Sequence, residues 1–290
     1  MNKLNSARRA QIVAALVEGM SVRATCRMTG VAKGTVLKLL ADLGTACRDY
    51  QDATLRNLPC KRIECDEIWS FCYAKDRNLP KAMRGQPGVR SLWTWTALCA
   101  DTKLVPSFLV GSRDAGTAYE FMTDLASRLR GRVQLTTDGH SAYLSAVDGA
   151  FGRAIDYAML VKLYGSEPAE DARYSPPRCI GVRVEEIRGF PKREHVSTSY
   201  VERQNLSMRM GMRRFTRLTN AFSKKVENHE HAVAIYFMHY NFVRIHQTLR
   251  CTPAMEAKVT DRRWSLADMI AMFEEWEAGQ AKAPKRGTDS

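Results

Sequence analysis

Between Lys61 and Tyr164 the sequence sets down its apolar segments in one particular order, and that order limits the fold more than any other feature. RIECDEIWSFCYA, SLWTWTALCAD and LVPSFLVG are rich in aromatic and β-favouring residues, so each reads as a strand. Asp101-Thr102-Lys103 makes a tight connection between the last two, and the three form an antiparallel meander. AGTAYEFMTDLASRLRGR then reads as an amphipathic helix with Tyr119, Phe121, Met122, Leu125 and Leu129 as its apolar stripe. RVQLTTDGH is a short buried strand that ends in Asp138-Gly139. SAYLSAVDGAFG follows as a helix and IDYAMLVKLY as a further strand.

Three strands, a helix, a strand, a helix and a strand is the order of the ribonuclease H-like fold, an α/β unit built on a mixed five-stranded sheet. Its first and fourth strands lie parallel and adjacent, and ligands gather at the carboxyl ends of such strands. Asp66 lies within the first strand and Asp138 ends the fourth, so two carboxylates far apart in sequence meet at one place. A carboxylate in a buried strand is costly unless it is paired, hydrogen-bonded or bound to a cation. Two at close range repel unless a divalent ion neutralises them. Either alone has a plain structural reading, a loop cap for Asp66 and an Asp-Gly turn for Asp138. Both together in this strand order point to a site.

HVSTSYVERQNLSMRMGMRRF adds a third acid. Glu202 is followed by 23 residues, Arg203 to Lys225, that hold seven Lys or Arg and no Asp or Glu. The helix carrying Glu202 is expected to start near Ser197 or Ser199, after an irregular region over 165–196. Hard cations such as Mg²⁺ or Mn²⁺ take oxygen ligands, and a pair of them serves phosphoryl chemistry. On this reading Glu202 joins a site for two such ions, and Arg203, Arg209, Arg213 and Arg214 hold the phosphates on which they act. An exposed Glu on a solvated basic helix is the alternative.

Residues 1–45 read as a separate helical unit. RRAQIVAALVEG carries Ile12, Val13, Leu16 and Val17 at helical spacing and stops at Gly19; Ser21 caps VRATCRMT, which ends at Gly30; KGTVLKLLADLG follows. This resembles a helix-turn-helix, with Lys33, Thr35 and Lys38 on the outward face of the third helix, placed for a major groove or for phosphates. A plain helical hairpin with solvated lysines is the competing reading. Residues 46–60 read as a linker, 61–225 as the catalytic unit, 226–278 as a helical C-terminal region and 279–290 as a flexible tail.

The net charge of +13 favours a polyanionic partner. The eight cysteines form no CxxC pair and lie mostly in apolar surroundings, and no apolar run is long enough to span a bilayer. These features predict a reducing, cytosolic setting, no membrane and no structural zinc. His231, His239 and His246 read as packed or capping residues; Arg244 and His246 are weaker candidates for DNA backbone contact.

CDEIWSF, TWTA with ADTKLVPSFLVG, LTTDGHSAY, STSYVERQN and RRFTRLTNAFSKK resemble bacterial insertion-sequence transposases of the DDE class. The nearest resemblance is to the insertion sequence one family, in a branch with a single reading frame, and it runs from about residue 20 to about 270. It implies Asp66, Asp138 and Glu202 as a metal-binding catalytic triad. Asp66 is chosen over Glu67 by the family pattern alone, because the residues leave both open. It further implies a basic residue seven positions after the Glu, filled by Arg209, and cleavage and joining of double-stranded DNA at transposon ends. Transposition holds two ends together, so a homodimer or larger homo-oligomer on DNA is expected, in a nucleoid-associated setting. Split-frame relatives carry an amino-terminal zinc finger whose ligands are missing here. A non-cutting DNA-binding regulator and a ribonuclease H-like DNA nuclease are the alternatives.

Overall fold

The structure, a computed structural model of the chain, describes residues 3–83, 90–165, 179–216 and 221–282. It opens with three helices, α1 (Ser6–Val17), α2 (Val22–Thr29) and α3 (Lys33–Thr54). Asn5 caps α1 by accepting from the Arg8 N–H, and Ser21 caps α2 by accepting from the Ala24 N–H. α2 ends where Gly30 takes a left-handed φ of 68°, its N–H returning to the Cys26 carbonyl.

The linker expected over 46–60 is helical for most of its length, since α3 continues to Thr54. Gly44, which resembles a helix stop in sequence, sits inside α3 for a packing reason. A Cβ there would lie 2.4 Å from His231 Cβ on α7 (Val226–Met238), so glycine lets the two helices touch.

The central sheet holds six strands where the sequence order implied five. β1 (Arg62–Cys72), β2 (Arg90–Cys99) and β3 (Ser107–Gly111) form the expected antiparallel meander. β4 (Val133–Asp138) lies parallel to β1, and β5 (Ile155–Tyr164) parallel to β4. The sixth strand, β6 (Cys179–Arg188), falls in the region expected to be irregular; it pairs antiparallel with β5 and gives the order β3-β2-β1-β4-β5-β6. β6 is mostly exposed and mixes Ile and Val with Arg and Glu, so it lacks the alternation that marks a half-buried strand. Residues 166–178 of that region lie outside the described residues.

α4 (Ala115–Arg128), capped by Asp114, and α5 (Ala142–Phe151) follow β3 and β4. Ala118, Phe121, Met122 and Leu125 are the buried apolar residues of α4, whereas Tyr119 is half exposed and faces outward from the expected stripe. α6 (Ser199–Gly211) carries Glu202, with its start inside the expected window. α7 runs into a π-helical turn, His239–Val243, and two further helices complete the chain: α8 (Pro253–Glu256) and α9 (Leu266–Lys282). α9 thus enters the segment expected to be a tail, of which residues 283–290 lie outside the described residues. Among the described residues no helix is long and apolar enough to cross a membrane.

One continuous core links these parts. Val36, Leu40 and Leu43 of α3 share it with Ile63 and Cys65 of β1, Phe237 of α7 and Phe273 of α9. Arg9, almost fully buried, pairs with Glu277 at 2.9 Å and fastens α1 to α9.

Candidate active site

The register of β1 and β4 decides which acids meet. Cys65 stands opposite Thr137, so one step further brings Asp66 level with Asp138, the last residue of β4. Ligand atoms of Asp66, Glu67 and Asp138 all lie within 4.8 Å of one another. Strand alternation sends Asp66 and Glu67 to opposite sides of the sheet. Both carboxylates nevertheless reach Asp138, because β4 stops there and leaves space beyond its end.

Each carboxylate has its own support. Asp66 accepts from the Asn205 side-chain amide at 2.9 Å and from the Glu67 N–H at 2.8 Å, and Asp138 accepts from the His140 N–H at 3.0 Å. Arg113, just past β3, donates to Glu67 at 3.0 Å and lies 3.6 Å from Asp138. The other Glu67 oxygen is buried, and the buried Tyr143 hydroxyl interacts with this carboxyl. Burial, then the Asp138 charge, raises Asp66 to about 6, and the same two causes in the same order raise Glu67 to about 7. Asp66 and Glu67 resist ionisation in this crowded place, and with Asp138 they form an all-oxygen donor set suited to a hard divalent cation.

Glu202 stands outside that group of three, although its charge is also felt at Asp66. It is held by Lys162 of β5, whose Nζ lies 2.5 Å from Oε1, and by the Thr198 hydroxyl. The helix that carries it is fixed by Glu64, two residues before Asp66 on the same side of β1. The buried Glu64 carboxylate accepts from the N–H groups of Tyr200 at 2.8 Å and Val201 at 3.1 Å. An acid from a neighbouring strand thereby caps α6, where the Thr198 side chain makes no capping bond. Burial still pushes the Glu64 carboxyl upward against these two donors.

The basic residues named from sequence fall into two places. Lys33, Thr35 and Lys38 are exposed at the start of α3, and Lys38 pairs with Asp42 at 2.7 Å. Arg203 and Arg209 are exposed on α6, Arg213 is exposed just beyond it, and Arg214 turns inward to donate to the Ser223 hydroxyl at 2.8 Å. Arg244 is exposed and His246 half-buried. His229, buried between Ser70 and Ser223, makes hydrogen bonds to both.

Sequence reasoning missed Glu64, Arg113 and Lys162. Glu64 was legible as an acid at the right parity on β1. The other two become visible only when β3 and β5 are placed around the end of β4.

No protein-family model matches the chain, and neither does any curated protein sequence. Among solved structures, the Mos1 transposase paired-end complex with left transposon end matches 51% of this chain at 11% identity, TM-score 0.20. The Mos1 mariner paired end complex with Mn matches the same share at 11% identity, TM-score 0.19. The chain spans 58% of the length of both of those chains. The Mos1 Strand Transfer Complex matches 81% of this chain and 78% of that one at 12% identity, TM-score 0.23. With scores this low, none of the three superpositions defines a common framework.

Proposed function

We propose that the chain is a DNA transposase of the DDE class, with a ribonuclease H-like catalytic unit and a helix-turn-helix formed by α1 to α3. The observation that carries this reading is the meeting of Asp66 and Asp138 at the carboxyl end of the central parallel strands, with Glu67 beside them and Glu202 close by. Asp66, Asp138 and Glu202 would hold Mg²⁺ or Mn²⁺, two ions in the full site. When bound, the ions supply Lewis acidity at the scissile phosphate.

The chain's own residues do the remaining work. Glu64 keeps the start of α6 against β1 and so sets where Glu202 stands. Asn205 orients the Asp66 carboxylate. Arg203, Arg209, Arg213 and Arg214 hold backbone phosphates, and Lys33, Thr35 and Lys38 meet duplex DNA at the transposon ends. The substrate is double-stranded DNA bearing inverted repeats, and the working form is a homodimer or larger homo-oligomer. The resemblance in CDEIWSF, LTTDGHSAY and STSYVERQN supports a place near the insertion sequence one family, and with it a cytoplasmic, nucleoid-associated setting.

The test uses a labelled DNA fragment carrying the inverted repeats that flank the gene, with Mg²⁺ or with chelator. Metal-dependent nicks at the repeat boundary, followed by joined products and lost in Asp138→Asn, are expected. Cleavage retained by that variant would refute the assignment. Glu202→Gln and Glu67→Gln separate the two candidate third carboxylates: loss of cleavage in the first and retention in the second is the expected pattern. Nicking without joining would favour the nuclease, and binding without nicking the regulator.

A further inference from the structure

At the far end of α6 from Glu202 lies a cleft of about 1050 Å³, formed by the turn between α1 and α2, the start of α3, the chain beyond α6 and the face of α7. Six cationic residues line it: Arg23, Lys33, Arg213, Arg214, Lys224 and Lys225. No Asp or Glu does. None of the six makes an ion pair among the described residues, although ion pairs elsewhere in the chain are numerous. Between the cations the lining is apolar, with Leu16, Met20, Leu37 and Ile235 among it.

Arg214 gives the cleft its direction. Its guanidinium is largely withdrawn from water, donates to the Ser223 hydroxyl, and has the imidazole of His229 as a near neighbour. Burial brings it down to about 10, with no carboxylate to offset the cost. A half-buried cation in an all-cationic concavity is completed by an anion brought from outside.

We propose that this cleft binds an unpaired stretch of the DNA strand on which the active site works, with phosphates on the cationic rim formed by Arg213, Arg214, Lys224 and Lys225, bases on the apolar floor, and Lys33 at the edge where the duplex begins. The inference rests on the transposase reading for the identity of the strand. Geometry favours a single strand over a duplex. The cube root of 1050 Å³ is about 10 Å, less than the roughly 12 Å width of a major groove alone. The cleft is also pinched at one end, where a Cβ on Gly19 would come within 2.9 Å of the Gly211 carbonyl oxygen. From Glu202 to Met212 the chain advances ten residues along α6, about 15 Å at 1.5 Å per residue. That distance matches about four stacked nucleotides at 3.4 Å each. A strand leaving the carboxylates along α6 therefore arrives at Arg213 and Arg214.

The experiment follows fluorescence anisotropy of a labelled single-stranded oligonucleotide with the full chain in chelator, across a salt series. The chain is expected to bind it. Lys224→Ala/Lys225→Ala is expected to weaken binding at least tenfold and to flatten the log–log salt slope by about 1.4, two contacts at about 0.7 each. Arg214→Met is expected to weaken binding by a similar factor; the double lysine variant, altered only at exposed positions, keeps the test valid if Arg214→Met fails to fold. Equal loss on a blunt duplex would overturn the proposal, because the cleft would then be general duplex surface. Displacement by inorganic phosphate or poly-glutamate as readily as by a competing single strand would overturn it as well, and so would unchanged affinity in the double variant. Cleavage is not read in this assay, so failure of the Asp138→Asn test leaves the binding result standing, and the reverse holds too.

Discussion

Glu64 shows how one residue can set a site it does not join. It is buried, and its carboxylate takes the first free N–H groups of α6. Removing the acceptor leaves two donors unmade at the base of the helix that carries Glu202. Glu64→Ala is expected to lose about 1–3 kcal/mol in urea unfolding, and Glu64→Gln, which keeps a neutral acceptor, distinctly less. Equal losses in the two variants would mean that the side chain acts by volume alone. A second expectation concerns pH. Asp66 near 6 and Glu67 near 7 stand above their ordinary values of 3.8 and 4.5, so the folded chain holds more protons than the unfolded one between about pH 4 and 7. The share of metal-free stability that these two groups supply therefore falls as pH rises through that window, by on the order of a few kcal/mol, against the opposite slope of His229 and His239, which burial holds well below the usual imidazole range; Asp66→Asn removes part of the falling share. Added Mg²⁺ or Mn²⁺ is expected to raise the thermal midpoint more at pH 7.5 than at pH 5. A stability difference between the wild-type chain and Asp66→Asn that stays the same from pH 5 to 7.5 would contradict the arrangement. Strand order was enough to bring Asp138 to the Asp66-Glu67 pair, but it left open which of the two faces Asp138, and the family pattern alone chose Asp66. That both reach Asp138 depends on where β4 stops, which a sequence pattern does not reveal to the residue.

Elements follow the same division. The meander, β4, β5, α4, α5 and the start of α6 come from local periodicity and caps such as Asp114, and these were readable. The second half of α3 and the whole of β6 were not, for opposite reasons. Gly44 carries the signature of a helix end, yet α3 continues through it because α7 needs the space that a Cβ would take. Gly44→Ala is the corresponding test. Ala favours helix intrinsically by about 1 kcal/mol over Gly, so an isolated helix would gain. Here the added methyl meets the Cα and Cβ of His231 rather than a flexible tip, and forced overpacking of this kind costs about 1–3 kcal/mol. The expected sign is a lower thermal midpoint; a higher one would show that the two helices part easily. β6 escaped because it is paired on one edge and exposed on most of its length, so tertiary pairing with β5 outweighs a weak strand pattern.

At the scale of the whole molecule, the parts that read as separate modules share polar as well as apolar contacts. Asn241, fully buried in the π-helical turn after α7, accepts from the Val105 N–H and donates to the Val105 carbonyl, both at 3.0 Å. Its amide also donates to Gln51 of α3 at 3.4 Å, and Gln51 donates in turn to the Ala234 carbonyl of α7 at 3.2 Å. One amide thus ties the chain between β2 and β3 to the N-terminal helices through the C-terminal ones. Asn241→Leu keeps a similar volume but strands both Val105 groups and loosens Gln51, so a loss of about 2–4 kcal/mol is expected. The manner of unfolding tells more than the size of the loss. With Trp264 and Trp276 replaced by Phe, Trp69, Trp93 and Trp95 report on the sheet by fluorescence, while circular dichroism reports mainly on the helices. If α1 to α3 formed an independent unit joined by a linker, the two signals would melt apart and the variant would displace only one of them. With α3 packed on α7 and bridged through Asn241, both should move together to lower temperature in a single transition.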